Sequence, residues 1–411
     1  MVKLFMMADD LTGALDTGVK FSNKGANVLV VPDANYNLEH APNDVQILVM
    51  NTETRHASAK EAYQRIYQLT RKALSMQIPY VYKKTDSALR GNIGAELEAV
   101  AHAASFYNDK ATVHFAPSFP QMKRIVKEGQ LYINDVLVHE SVFGKDPFEP
   151  VLQSRVADII RQQATIELGI SDRTASIAIY DATSDKDLEQ IAHTIIGTKT
   201  PVLMAGSAGL ADCLPELLEI ENTPSWNRIH GQQFLVVCGS INPITRLQLD
   251  YAQQHGFDRI QISTEQKISK EHFKSEAGRA ELEHLTQIVL TSPYCLLDTN
   301  DVVPGETIKA IHEHGMNREE LRLLISEKIG YIVRHLIKEG LRSILLITGG
   351  DTLIAFIKQM QIDEMVPLYE LAPGIVLSRC FIGTKQLYIV SKSGGFGNQD
   401  LFVNLAKELT N

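Results

Sequence analysis

The sequence predicts an α/β protein of two domains, each a mostly parallel sheet flanked by helices, with an active-site cleft between them. Three observations predict it. Short β-branched runs alternate with amphipathic helical stretches, the rhythm of βαβ units. These runs are apolar at successive positions, as strands buried on both faces require. The 411 residues also exceed what one hydrophobic core ordinarily supports, so the chain divides.

The first apolar run, residues 2–8, stops at Asp9 and Asp10, with Asp16 one helical stretch further on. Runs at 26–31 and 45–50 follow, then an amphipathic helix over 58–73. Further strands are expected at 79–82, 112–115, 176–180 and 202–204. In residues 130–138, Leu131-Tyr132-Ile133 and Val136-Leu137-Val138 flank Asn134-Asp135, a pair suited to a tight hairpin outside the main sheet. Between 219 and 231 the pattern lapses into polar residues around Pro224, which sets the domains at 1–229 and 230–411.

The second domain opens with a strand at 234–238 and the turn Gly239-Ser240-Ile241-Asn242-Pro243, with Pro243 suited to a helix start. A strand at 343–348 runs into Gly349-Gly350-Asp351-Thr352 and a helix over 353–360. Strands at 365–370, 375–378 and 387–390 precede Ser393-Gly394-Gly395-Phe396-Gly397 and a final helix.

Composition narrows the function. With 44% hydrophobic and 22% charged residues the chain reads as a soluble globular protein. No stretch approaches bilayer-spanning length, and the first apolar run ends at two aspartates, unlike a secretory signal. A cytoplasmic location is therefore expected. Cys213, Cys238, Cys295 and Cys380 lie too far apart for the close pairs of zinc sites or disulfide scaffolds, so they read as reduced core residues. The net charge of -9 argues against bulk binding of nucleic acid, whose affinity comes from phosphate neutralisation.

Chemistry concentrates at strand ends. Asp9, Asp10 and Asp16 place carboxylates at a strand-to-helix corner, where parallel α/β proteins bind ligands. One of them suffices to cap the helix, and a bland reading leaves Asp16 exposed upon it. Lys83-Lys84-Thr85-Asp86-Ser87-Ala88-Leu89-Arg90 mixes cations, hydroxyls and an acid, as recognition of a compact hydroxy acid requires. Arg55, after another strand, can join it. The plainer alternative is a solvated loop with a cap at Ser87. Gly239-Ser240, Gly349 to Thr352 and Gly394 to Gly397 each follow a strand, and together suit nucleotide phosphates held by backbone amides. Neither a P-loop nor Gly-x-Gly-x-x-Gly is present. His114 reads as core, His139-Glu140-Ser141 as bordering the cleft, and Gly206-Ser207 as tight strand-to-helix packing.

Six ordered segments together resemble the four-carbon acid sugar kinases across nearly the whole chain. They are residues 8–13, 84–91, Pro117-Ser118-Phe119-Pro120 with His139-Glu140-Ser141 and Asp146-Pro147, then Gly239-Ser240, 349–352 and 392–397. The resemblance implies ATP-dependent phosphorylation of D-threonate, D-erythronate or a 3-oxo-tetronate, at the terminal hydroxyl. It implies an acid-binding N-terminal domain using Asp9, Asp10, Arg55, Lys84, Thr85, Asp86, Ser87 and Arg90. It implies a nucleotide-binding C-terminal domain using Ser240, Gly349, Gly350, Asp351, Thr352, Gly394, Gly395 and Gly397. Where the family usually carries Gly-Arg after Phe119-Pro120, this chain reads Gln121-Met122-Lys123-Arg124, which makes Arg124 the candidate replacement.

The expected mechanism has Asp86 or Asp9 contacting the attacking hydroxyl and Lys84 and Arg90 steadying the acid's carboxylate or the γ-phosphate. ATP and Mg²⁺ are the expected cofactors, with Mg²⁺ bridging phosphate oxygens and no dedicated protein metal site. The expected partners are the sugar acid and ATP, without nucleic acid or membrane, and a homodimer stays open. A dinucleotide oxidoreductase and a non-catalytic ligand sensor are the rival readings.

Overall fold

The structure, a computed structural model, describes residues 2–108, 111–146, 149–220, 229, 231, 233–303, 305–313, 315–393 and 395–410. The chain divides into two compact units, Met1–Ser225 and Trp226–Asn411. Most of the polar stretch expected to link the domains, residues 221–228, lies outside the described residues.

Unit 1 contains β1 (Leu4–Ala8), β2 (Val28–Val31), β3 (Ile47–Asn51), β4 (Tyr80–Lys84) and β5 (Val113–Ala116), then β6 (Arg124–Lys127), β7 (Gln130–Ile133) and β8 (Val136–Leu137). It ends with β9 (Leu168–Ile170), β10 (Ile177–Ile179) and β11 (Val202–Gly206). Its sheet has the order β2-β3-β1-β4-β11-β5-β10-β9, and every pairing in it is parallel. Phe5, Met7, Leu48, Met50 and Val81 from its strands pack with Ile66 of helix Ala59–Ser75 and Leu97 of helix Ile93–Ser105. Ser58 starts the first of these helices through a capping box with Glu61.

Register fixes where the loops emerge. Ala8 pairs with Asn51 on one side and Lys84 on the other, and Lys84 pairs with Gly206. The chain winds from β1 outward through β2 and β3 on one side, then resumes with β4 on the other. The crevice outside the ends of β1 and β4 is therefore a topological switch point, the position at which such sheets bind ligands. Asp9 follows β1 there, and Thr85 follows β4.

The hairpin forms as the sequence predicts. Asn134 (φ 50°) and Asp135 (φ 65°) both take left-handed conformations, as a type I′ turn demands, between β7 and β8. β6 adds a third antiparallel strand to it.

Unit 2 contains β12 (Gln233–Cys238), β13 (Asp258–Gln261), β14 (Tyr294–Asp298), β15 (Ser343–Thr348), β16 (Met365–Ala372), β17 (Ile375–Ile382) and β18 (Lys385–Lys392). Its strands run in the order β13-β14-β12-β15-β18-β17-β16. The pairings from β13 to β18 are parallel, whereas β16, β17 and β18 form an antiparallel meander. Cys238 is in register with Thr348, and Thr348 with Lys392. The switch point lies between β12 and β15, where Gly239 and Gly349 emerge. Helix Gly350–Met360 begins three residues earlier than the sequence pattern suggests, because Gly349 (φ 107°) turns the chain directly out of β15. Pro243 opens helix Pro243–Gln254, capped by Asn242, as expected.

Candidate active site

Asp10 caps helix Leu11–Ser22, its carboxylate accepting from the Gly13 amide at 2.8 Å and from Thr12 Oγ1 at 2.8 Å. This duty frees Asp9 from capping. Arg55 spans both acids: Nε donates to Asp9 Oδ2 at 2.7 Å and Nη1 to Asp10 Oδ2 at 2.6 Å. Its Nη2 lies 3.8 Å from Asp86 Oδ1. Asp86 in turn takes Arg90 in a fork, with Nε at 2.8 Å and Nη2 at 3.1 Å. Arg90 Nη1 reaches Asp146 at 3.2 Å. Arg124, delivered by β6, donates to Ser87 Oγ, and the Phe143 ring stands between the guanidinium groups of Arg90 and Arg124, 5.1 and 5.2 Å away.

Charge balance sets the protonation states. Burial opposes ionisation of Asp86, but Arg90 and Arg55 outweigh it and hold its carboxyl well below the usual carboxylate range. Asp10 is likewise held below its ordinary value: burial acts against this, and Arg55 and Lys84 prevail. Burial would lower Arg55, yet Asp10, Asp9 and Asp86 raise it well above the ordinary guanidinium. Arg124 differs, because burial draws it below its ordinary value despite Asp86. Among these groups, Asp9 Oδ1 is buried without a hydrogen-bond partner, and so is the Thr85 hydroxyl. Such buried orphans in a polar crevice are the atoms a ligand hydroxyl would satisfy.

Beneath the crevice lies a second buried pair, Lys83 Nζ to Glu96 Oε2 at 2.8 Å. Lys83 also donates to the Lys84 carbonyl at 2.7 Å, and Glu96 accepts from the Thr54 hydroxyl. Thr52 completes the chain, bonding Thr54 and the Ala8 carbonyl, each at 2.8 Å. This network ties the ends of β1, β3 and β4 together behind Asp9 and Lys84. Lys84 itself donates to the Thr85 carbonyl at 2.9 Å and supports Asp10 electrostatically.

In unit 2 the switch point is lined by main chain. A side chain at Gly239 would place its Cβ 1.8 Å from Thr352 Oγ1, so only glycine lets the loop after β12 lie against the first turn of the helix after β15. That helix has no side-chain cap at Gly349, and its opening amides await another acceptor. Ser240 Oγ accepts from the Asn242 amide at 3.3 Å, and Asn300 donates to the Ser240 carbonyl at 3.2 Å. Gln248 Nε2 holds the last glycine loop by the carbonyls of Phe396, Gly397 and Asn398, at 2.9, 3.1 and 2.9 Å. Asp351 pairs with Arg322. A side chain at Gly395 would make an ordinary contact with Asn242 Nδ2, 3.7 Å from its Cβ, while Gly394 lies outside the described residues.

The structure thus gathers Asp9, Asp10, Arg55, Lys84, Thr85, Asp86, Ser87 and Arg90 at one crevice, and Ser240, Gly349, Gly350, Asp351, Thr352, Gly395 and Gly397 at strand ends of the other sheet. The solvated-loop alternative for residues 84–89 fails, because all of them are buried and Ser87 bonds Arg124. Asp16 is half-buried and faces Arg124 electrostatically, not exposed as the bland reading had it. His139 bonds Ser154 at 2.7 Å; from its neighbourhood Phe143 and Asp146, not His139-Glu140, reach the crevice. His114 is core, bonded to Tyr180 at 2.9 Å and pushed down to about 4 by burial. Gly206 and Ser207 pack as expected, Ser207 donating to the Ser118 carbonyl at 2.7 Å. The four cysteines are free thiols, and Cys213 is only half-buried. Among the described residues, no group of His, Cys, Asp and Glu could hold a metal ion, and no helix is long and apolar enough to cross a membrane.

Residues 4–214 match the model of a sugar-binding N-terminal domain, and residues 235–402 that of a nucleotide-binding C-terminal domain. The chain belongs to the four-carbon acid sugar kinase family. Family relatives include a D-threonate kinase of Salmonella typhimurium, 28% identical, with 97% of this chain and 96% of that protein covered. A D-erythronate kinase of Heliobacterium modesticaldum is 26% identical over 97% and 95%. A 3-oxo-tetronate kinase of Burkholderia multivorans is 26% identical over 96% and 95%. The fold matches a solved structure from Salmonella typhimurium LT2 with a TM-score of 0.80 at 20% identity, each chain covered in full.

Proposed function

We propose that this chain is an ATP-dependent kinase that phosphorylates a four-carbon sugar acid, D-threonate or D-erythronate, at its terminal hydroxyl. What supports the reading is a division of chemistry between two switch points. One carries arginines and unsatisfied polar oxygens suited to a hydroxy acid, and the other carries glycines and free helix amides suited to phosphates. Domains 1–229 and 230–411 would then hold the acid and the nucleotide respectively. Relatives of comparable identity act on D-threonate and D-erythronate. A 3-oxo-tetronate is the alternative acceptor within the same family. A cytoplasmic location, where ATP is held, fits this activity.

Phosphoryl transfer asks for positioning and charge stabilisation more than covalent chemistry. In the reading we favour, Asp9 Oδ1 receives the terminal hydroxyl, since its other oxygen is engaged by Arg55. Asp86, with both oxygens occupied by Arg90, sets the arginines instead of acting as base. Arg90 and Arg124 take the acid's carboxylate, with Ser87 and Thr85 on its hydroxyls. Mg²⁺ would be bound together with ATP and would supply charge neutralisation at its phosphates. The glycine loops and the helix start at Gly350 receive those phosphates.

A coupled assay of ADP release over a panel of D-threonate, D-erythronate and 3-oxo-tetronates tests the proposal. ADP formation should require Mg²⁺ and one specific acid. Silence with every acid, despite measurable acid and nucleotide binding, would favour a ligand sensor.

A further inference from the structure

Lys392 ends β18 in the register row that Cys238 and Thr348 share. Its side chain is fully buried. Nζ donates to Thr245 Oγ1 at 3.2 Å and to the Ser393 carbonyl at 3.1 Å. Thr245 Oγ1 continues to Ser240 Oγ at 3.4 Å. The amine thus sits between the root of the last glycine loop and the serine of the first, with the Phe402 ring 5.9 Å from it.

We propose that Lys392 is the counter-charge for the nucleotide's phosphates, and that nucleotide binding draws a proton from solvent onto its amine. This rests on reading unit 2 as the nucleotide site. In the free protein, burial pushes the ammonium down to about 7, with the Cys238 thiol on β12 acting in the opposite direction. That thiol is itself pushed up to about 12 by burial. The acids at the neighbouring strand and helix ends are already matched, Asp298 by Arg259 at 2.7 Å and Asp351 by Arg322. A polyphosphate placed on these loops adds negative charge in a poorly screened setting and raises the amine's proton affinity. The neutral amine takes up one proton on binding and returns it on release.

The sign of the pH dependence follows. Below about 7 the amine is already charged, and this group adds no dependence. Above that value nucleotide affinity falls as pH rises, by at most about tenfold per pH unit, until the raised value of the complex is passed.

Calorimetric titration of the full chain with ADP at about pH 8.5, where nucleotide phosphates are fully ionised, in buffers of different ionisation enthalpy, reads the proton count. Uptake approaching one proton is expected in the natural protein. It should vanish in K392M, whose volume is conserved, with affinity weakened about tenfold or more. K392R, permanently charged, should also take up no proton while binding ADP more tightly than K392M. ADP binding without buffer-dependent heat in the natural protein would overturn the inference alone, as would proton uptake that persists in K392M. Absence of ADP binding in every buffer would overturn the nucleotide reading with it.

Discussion

In unit 1 the loops after β1 and β4 bring Asp9, Asp10, Asp86 and Arg90 to a switch point; in unit 2 the loops after β12 and β15 bring Gly239 and Gly349 to another. The windings that create these positions correspond. Each unit starts with a central strand, sends the second to the outer edge, inserts the third between them, and places the fourth on the opposite side. The same backbone geometry therefore offers the same crevice twice. In one, side chains fill it with paired charges, the lining we propose for hydroxyls and a carboxylate. In the other, glycines leave main chain at the surface of the crevice, the lining we propose for phosphates. The comparison teaches that the winding supplies a place and the residues after each strand supply the ligand class.

The largest effect that could break this comparison is at Arg55. R55M leaves Asp9, Asp10 and Asp86 without their shared cation in a buried crevice, and should cost about 3–5 kcal/mol, read from chemical denaturation. A loss below about 1 kcal/mol, typical of exposed pairs, would mean that the crevice is wet and its charges screened.

Next in size is D9N, which keeps shape and removes the hydroxyl's proton acceptor. Turnover should fall about 10²–10⁴-fold, with ADP affinity unchanged in titration. Near-natural turnover would remove Asp9 from that role and return Asp86 to it.

A smaller change sharpens the unit 2 side. Q248L removes the amide that holds the carbonyls of Phe396, Gly397 and Asn398. The ATP KM should rise about tenfold, on the scale of one or two hydrogen bonds, while the acid KM stays as it was. Equal movement of both would sever that loop from nucleotide alone.

The smallest effect is in acid. Asp10 and Asp86 titrate below their ordinary 3.8 in the folded chain. The stability they contribute is complete above that value and is lost as pH falls further through their depressed values. A denaturation series from pH 5 to 2 should show a decline confined to its acid end, and the decline should be shallower in R55M.

Much of this was legible in sequence because it is local. Strand cores, the Asn134-Asp135 turn, Pro243 at a helix start and the glycine corners are each written within a few residues. The edge strands β9 and β13 were not, since Leu168–Ile170 is short and Asp258–Gln261 carries two adjacent charges and a single apolar residue, Ile260, at an edge. Sequence put Asp9 and not Asp10 at the attacking hydroxyl, but only the fold shows that Gly13 and Thr12 occupy the Asp10 carboxylate. Phe143 carried no signal, for its position between two arginines depends on β6 and on the turn after it. Arg124 was visible as a candidate, but its approach to Ser87 required the third hairpin strand and the left-handed Lys123 before it (φ 51°). Lys392 opens the segment 392–397 that carries the family resemblance, yet its burial is a property of the sheet.

The division of labour between the two switch points is tested most directly by dissociation constants for ADP and for the sugar acid, each measured alone on the natural protein, R90M and G239A. The account predicts that R90M weakens the acid about a hundredfold, as loss of a charged fork does, and leaves ADP unchanged. It predicts the reverse for G239A, whose added Cβ would meet Thr352 Oγ1. Both ligands weakening together in either variant, or the acid weakening in G239A alone, would contradict it.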